Sequence, residues 1–460
     1  MIKALASISA LLASVGLLLV GHGLQTTLLP LAARQASFTD FEIGLVSSAY
    51  FVGMVLGCLA SPYVIMRAGH IRAFAALVSL MSAAAILHPV FVDPLAWFLV
   101  RVISGFCLAG FYMIVESWLN EAASNENRGT IMSVYIVVLY AAMMLGQVSI
   151  SGLGISGFVP FVAASVMVSL AVIPVSLTTA NQPAPITLVR FRPVRLYRTS
   201  PAAFVSCLLI GVASGALWTL APLYGAQIGL STNQAAFYTA AIIGGGVVAQ
   251  WPFGRLSDRI DRRLVLVGLA VATFVISLAI VTIEPASPVA ATLFALVIGV
   301  FSQPAYAIAV AHAFDHADAD AYVETSSGLL LSFGLGSIIG PISASLLMQD
   351  LGPSGLYYQV AAVQVVTVAY IATRLFARQA MTPEEKLDFE YAATAQVGTV
   401  ISPEPLDVAD PDVIPPEEFP AYEDAGYSPE VTEETLPVGG EAADGEGSAG
   451  PGDTRTDSTL

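Results

Sequence analysis

Twelve apolar runs, each near the roughly 20 residues that a helix needs to cross a bilayer, constrain this chain more than any other feature. They fall at about 4–31, 42–66, 72–91, 95–119, 129–152, 157–178, 201–226, 233–253, 264–283, 289–312, 325–348 and 354–376, and are numbered here as spans 1 to 12. Within hydrocarbon no water satisfies a free N–H or C=O, so runs of this length must be helical. Composition agrees. Of 460 residues 56% are hydrophobic and 11% charged, too few charges for a soluble chain of this size. The expectation is an all-α membrane protein.

Charge sets the direction of each span. Gly254–Arg263 reads GRLSDRIDRR, four arginines and two aspartates in ten residues between two apolar runs. Such a block belongs in a short loop at one membrane face. The even-to-odd joints hold Arg67, Arg72, Arg128, Arg190, Arg192, Arg195, Arg198, Arg255, Arg259, Arg262 and Arg263. The odd-to-even joints hold one basic residue, Arg34, with Asp40, Glu42, His88, Asp93, Glu284 and Asp350. This asymmetry is expected to place both termini in the cytoplasm.

The net charge of −16 belongs to the tail: residues from Ala377 on carry 20 acidic and 3 basic side chains, leaving 14 and 15 for residues 1–376. Nothing in that balance suggests a nucleic-acid partner. The tail, 377–460, is rich in Pro and Gly, a disordered composition. The joint at 179–200 holds Pro183, Pro185, Pro193 and four arginines, and is expected to be a cytoplasmic linker. It separates an N-terminal bundle, 1–178, from a C-terminal bundle, 201–376. Cys58, Cys107 and Cys207 lie in apolar spans and are read as small core residues. The apolar run after Lys3 is too long for a signal peptide core, so an uncleaved first helix is expected.

The halves repeat. Gly105, Tyr112 and Gly146 recur as Gly299, Tyr306 and Gly340 at a spacing of 194. Pro30 corresponds to Pro222, and Gly57 to Gly254. Parallel halves around a midplane site are a transporter layout.

These residues carry a resemblance to the major facilitator superfamily. Gly254-Arg255-Leu256-Ser257-Asp258-Arg259 with Arg262-Arg263 resembles that family's loop between helices 8 and 9, with Asp261 where a second glycine is usual. Gly57 is kept in the first-half copy, where Ser61 replaces the usual Asp. Arg101-Val102-Ile103-Ser104-Gly105 resembles the helix 4 signature, and Gly336 to Pro341 a helix 11 element. Helix 5 reads Gly146-Gln147, without the glycine-proline mark of the family's exporters. Glu116 through Asn120, Arg128-Gly129 and Gly146-Gln147 resemble the bacterial YcaD-like branch. The resemblance implies twelve transmembrane helices in two pseudo-symmetric six-helix bundles, the major facilitator fold. It also implies that Gly254, Asp258, Arg259, Arg262 and Arg263 form a cytoplasmic gate that stabilises the outward-facing state.

Charges inside spans are the candidate chemistry, since each costs at least ~2.5 kcal/mol. In span 4, Arg101 and Glu116 are 15 residues apart, so about 60° apart around the helix, with Tyr112 between them. Glu116 is read as a proton carrier or, alternatively, as a latch to Arg67 or Arg128. Arg101 tunes a neighbour or contacts substrate. In span 1, His22, Gln25 and Thr26 share a face, and His22 is a second titratable candidate. Trp218 is the repeat counterpart of Thr26. With His22, Gln25, Thr26, Arg101, Tyr112 and Trp218, the side chains of Tyr140 and Gln147 in span 5 and of Gln303 and Tyr306 in span 10 are expected to line a substrate cavity, or else to hold helices together.

No Walker loop, metal cluster or H-E-x-x-H sequence is present, so no cofactor or enzymatic chemistry is expected. The expected function is secondary transport of a small organic solute by a monomer, coupled to protons, with sodium as the alternative ion. Export of an amphipathic compound and uptake of a metabolite both fit. A transporter-derived receptor or scaffold acting through the acidic tail is the second hypothesis, and tail deletion separates the two.

Overall fold

The computed structural model describes residues 2–123, 128–177, 193–285, 287–317 and 321–377. The expected tail and the 179–192 part of the linker lie outside the described residues. The described chain is helical: α1 (Ile2–Gln35), α2 (Asp40–Ala68), α3 (His70–Val90), α4 (Pro94–Ala122), α5 (Arg128–Leu153), α6 (Val159–Leu170), α7 (Val172–Ser176), α8 (Pro193–Thr199), α9 (Pro201–Gln227), α10 (Thr232–Arg259), α11 (Arg262–Ile283), α12 (Pro288–Ser302), α13 (Pro304–Phe314), α14 (Tyr322–Leu351) and α15 (Gly355–Ala377).

Among the described residues eleven helical stretches are long and apolar enough to cross a membrane, with Val159–Ser176 and Pro288–Phe314 each counted once. The twelfth run lies on α10. That helix has 28 residues, but its Gly244-Gly245-Gly246 and polar side chains make it less apolar than the others.

Helix starts repeat as the glycines do. Thr39 and Glu42 form a capping box at α2, and Ser231 and Gln234 form one at α10. Asp93 caps α4 ahead of Pro94, and Ser287 caps α12 ahead of Pro288. Packing follows the same order. α2 lies on α4 as α10 lies on α12, and α1 lies on α5 as α9 lies on α14. Gly105 abuts the α2 backbone at Tyr50, and Gly299 abuts α10 at Ile242. Gly146 meets α1 at Val20, and Gly340 meets α9 at Val212. A Cβ at any of the four would collide with a carbonyl oxygen of the facing helix. The 194-residue spacing is therefore the register of equivalent helix crossings.

Three apolar clusters fill the interior. At the arginine-poor end one cluster joins both sets of helices, with Leu28, Trp97 and Phe161 packed in the same body as Leu220, Tyr238 and Met348. At the arginine-rich end there are two. Phe74, Phe111 and Leu119 belong to one, and Leu269, Ile308 and Leu329 to the other. Across the arginine-poor end Gln227 Nε2 donates to Asp40 Oδ1 at 2.9 Å, and Gly44 of α2 lies against Ser345 of α14.

The sequence predicts loop throughout the linker. Its last part is instead helix α8, which packs on α9 and α14 and pairs Arg195 with Glu324 at 3.4 Å. Pro193 fixes the backbone φ at the first helical position, which favours a helix there.

Candidate functional site: a central cavity

Between the two sets of helices lies a cavity of about 120 Å³. That space admits several waters or part of a small solute. Its walls come from α1, α2, α4 and α5 on one side and from α9, α10 and α14 on the other, with Gln303 between α12 and α13.

The α1 wall is one helix face. His22, Gln25, Thr26, Leu29, Pro30 and Ala33 all line the cavity, at the i, i+3, i+4 spacing of a single stripe. Gly21 and Gly23 sit beside this stripe and receive the backbones of α6 and α5. That contact seats the stripe against its neighbours. Gln147 of α5 lies within reach of Thr26 Oγ1, which accepts from its Nε2 at 3.4 Å.

Arg101 reaches the same cavity from α4. Its guanidinium carbon lies 4.5 Å from the centroid of the Tyr50 ring, a cation–π contact that gains strength where water is excluded. Tyr50 stacks on His22 with ring centroids 5.5 Å apart, and its hydroxyl is 3.4 Å from His22 Nε2. Tyr50 thus joins the charged α4 side chain to the titratable α1 side chain. The close α2–α4 crossing at Gly105 brings it there.

Several polar atoms at this wall are buried and lack a hydrogen-bond partner: His22 Nδ1, Gln25 Nε2, Arg101 Nη1 and Gln147 Oε1. Unbonded buried groups of this kind each cost about 1–3 kcal/mol, more when charged. Native structures keep few of them. Four of the fifteen such side-chain atoms among the described residues belong to this cavity's lining, where a ligand or water can meet them.

The opposite wall is mainly apolar, with Thr219 and Thr239 as its hydroxyls. Leu217, Trp218, Ile242, Ile243, Leu330, Leu331 and Phe333 line it. Trp218 Nε1 donates to Gln303 Oε1 at 3.3 Å. The backbone hydrogen-bond ladder of span 10 is broken at Pro304, which has no N–H to give to the preceding turn, while Gln303 keeps helical angles of φ −73° and ψ −38°. A break at membrane depth is tolerated where it lines a cavity.

Of the expected wall residues, His22, Gln25, Thr26, Arg101, Tyr112, Tyr140, Gln147, Trp218 and Gln303 all line this space. Tyr306 does not. It is 1% exposed and packs edge-on against Phe333 at 5.0 Å. Phe333 faces the cavity in its place, so the tyrosine pair at spacing 194 is not equivalent in surroundings. Glu116 is likewise absent from the lining. It is buried nearer the arginine-rich end of α4 and accepts from Tyr135 Oη at 3.4 Å. The shared stripe is real, but 15 residues of helix put the two charges roughly 22 Å apart along the axis. Sequence reasoning missed Tyr50 and Cys58, which also line the cavity. Cys58 is only partly buried. Tyr50 carried a signal, since its carbonyl faces Gly105, but only the crossing shows it.

The GRLSDRIDRR loop lies at the arginine-rich end. Arg262 is 1% exposed; its Nε donates to Asp315 at 2.8 Å, and its Nη2 pairs with Asp258 at 3.4 Å. Arg263 pairs with Asp261 at 2.7 Å and donates to the Arg374 carbonyl at 2.9 Å. These bonds tie α10, α11, α13 and α15 together. Gly254 is buried and Arg259 exposed. Asp261 caps α11 by accepting from the Arg263 backbone N–H, which gives the residue in the usual glycine's place a structural use. Partial burial pushes the Asp261 carboxyl upward, but the hydrogen bonds and charge of Arg263 outweigh it and hold it below the ordinary aspartate value.

The sequence matches the family model of the Major Facilitator Superfamily over residues 11–330 and 204–406. It is 30% identical over 368 residues to the MFS-type transporter YcaD of Salmonella newport, covering 77% of this chain and 92% of the relative. In three dimensions it is similar to a mutant of the nucleoside transporter NupG, with a TM-score of 0.68 at 14% identity over 80% of this chain and 100% of the other. It is also similar to the E. coli fucose:proton symporter FucP, with a TM-score of 0.51 at 14% identity over 81% and 99%. With its helical repeat, its shared cavity and these matches, the chain belongs to the major facilitator superfamily as a multi-pass membrane transporter of the YcaD-like branch.

Proposed function

We propose that this protein moves a small organic solute across a bacterial inner membrane by alternating access, as a proton-coupled monomer. The observation that carries the reading is the cavity walled by both sets of helices and lined on one side by buried polar atoms without partners. In this reading α10 completes a set of twelve spans, residues 1–178 and 201–376 act as two bundles, and both termini face the cytoplasm. The apolar cluster common to both halves seals the outer end, while the separate clusters at the arginine-rich end correspond to a cytoplasm-open conformer. Asp258, Arg259, Arg262 and Arg263 at Gly254 then act as the gate. Their loop pairs within the second bundle here and engages the first bundle in the outward-facing conformer.

Glu116 and His22 are the proton-handling candidates, with Arg101 setting the field around His22. The buried carboxyl of Glu116, bonded to Tyr135 away from the cavity, suits a carrier that communicates with solute through the movement of α4. A fold neighbour named as a fucose:proton symporter supports proton as the coupling ion, and sodium is the alternative. The test uses proteoliposomes loaded with a pH-sensitive dye and a panel of solutes, comparing wild type with Glu116→Gln. Solute-evoked proton movement lost in Glu116→Gln, with solute exchange retained, is the expected result. Proton movement that survives the substitution returns Glu116 to a structural latch and moves the coupling role to His22.

A further inference from the structure

Arg101 is the one charged side chain among the cavity's lining residues: no Asp, Glu or Lys lines it. Among the described residues no carboxylate pairs with Arg101. The side chain is 4% exposed, its Nη1 is buried without a hydrogen-bond partner, and its guanidinium rests on the Tyr50 ring. A buried cation without a counter-ion is unfavourable. An anion entering the cavity would supply the missing charge.

The surroundings say what that is. Gln25 Nε2, another unpartnered buried donor, lies on the same side of the cavity. The facing wall of Leu217, Trp218, Ile242, Ile243 and Phe333 offers contact surface with no charge. A planar guanidinium and an amide donor lining the same cavity match the two oxygens of a carboxylate. A cationic solute would meet like charge with no acid to offset it.

We infer that the transported solute is an organic anion, a carboxylate with an apolar body. Arg101 and Gln25 bind the head, and the α9–α10–α14 wall binds the body. This rests on the transporter reading and names the substrate class of that same cavity. It also gives Arg101 a binding role beside its effect on the field around His22.

The test works with simple probe acids, whatever the natural solute is. Thermal unfolding of the full chain in detergent is followed with matched trios of one body each: phenylacetate, phenylacetamide and phenethylamine, then hexanoate, hexanamide and hexylamine, all at millimolar concentration. Carboxylates are expected to raise the unfolding temperature, and the amides and amines not. Arg101→Gln should weaken the carboxylate response at least tenfold, and Arg101→Lys should keep part of it. Without solute, Arg101→Gln should unfold at the wild-type temperature or above it, because it removes an unneutralised charge. Amides or amines acting as well as acids, no response to any acid, a response that survives Arg101→Gln, or a solute-free Arg101→Gln protein that unfolds earlier would each overturn the inference. Failure of the transporter reading looks different: acids would still bind through Arg101, yet proteoliposomes would neither take up nor exchange them.

Discussion

At the scale of single residues, Tyr50 and Asp261 show how a side chain gains a role from its neighbours. Tyr50 places one ring between a guanidinium and an imidazole. The ring faces the cation with its electron-rich surface while its hydroxyl reaches His22, so one side chain serves two polar partners inside an apolar region. Asp261 works at the membrane edge. It accepts from the Arg263 backbone and pairs with the Arg263 guanidinium, so it caps α11 and neutralises a buried charge together. Asp261→Ala is expected to cost roughly 0.5–2 kcal/mol from the cap alone, read as a lower unfolding temperature in detergent. The pH dependence has a definite sign. A carboxyl held below its ordinary value stabilises the folded state at pH above about 3.9, and that contribution is lost as pH falls through the depressed value. Asp261→Asn, which keeps the cap and removes the charge, should flatten this acid-side loss without removing all of the stability.

Elements explain why those residues meet. Glycine at the α2–α4 and α10–α12 crossings lets backbones touch, and membrane helices associate by such packing because lipid gives no hydrophobic drive between them. The symmetry is kept in register but broken in content. α4 is continuous through the cavity, whereas its counterpart is split into α12 and α13 at Gln303. Beside that gap in the ladder the Gln303 amide meets Trp218, and Tyr306 packs against Phe333. Pro304→Ala would restore the missing donor, so the unfolding temperature should rise. Solute exchange in proteoliposomes should fall at least tenfold, since the added backbone bond stiffens the helix where Gln303 lines the cavity. Unchanged exchange would show that the break has no part in the transport cycle.

For the whole molecule, the two ends differ in how the helix sets are joined. A single apolar cluster and the Gln227–Asp40 hydrogen bond hold the arginine-poor end, while the arginine-rich end has a separate core in each set. Alternating access requires the first of these seals to open. Joining Asp40→Cys to Gln227→Cys with a short bifunctional thiol reagent, in a Cys58→Ser background, should hold that end shut. Exchange in proteoliposomes should drop at least tenfold, while carboxylate binding from the arginine-rich side persists. Exchange that continues in the cross-linked protein would mean that this end does not open during transport.

Much of this was legible in the chain itself. Hydrocarbon leaves a long apolar run no structure but a helix, so the spans followed from composition, and the arginine asymmetry gave their expected direction. Gly105 with Gly299 and Gly146 with Gly340 gave the repeat, because a crossing that admits no Cβ must keep its glycine. Periodicity put His22, Gln25 and Thr26 on one face and drew attention to Arg101. The tertiary structure decided what lay opposite each face. Helical spacing records which residues share a stripe, not how far along the axis the cavity extends, so Glu116 shares the stripe of Arg101 and falls outside the cavity. It records no partner, so Tyr50 stayed hidden until α2 and α4 crossed. Nor does it record a neutralising charge or its absence: that Arg101 has no acid beside it follows from the packing of seven helices around one space, which no single stretch of sequence contains.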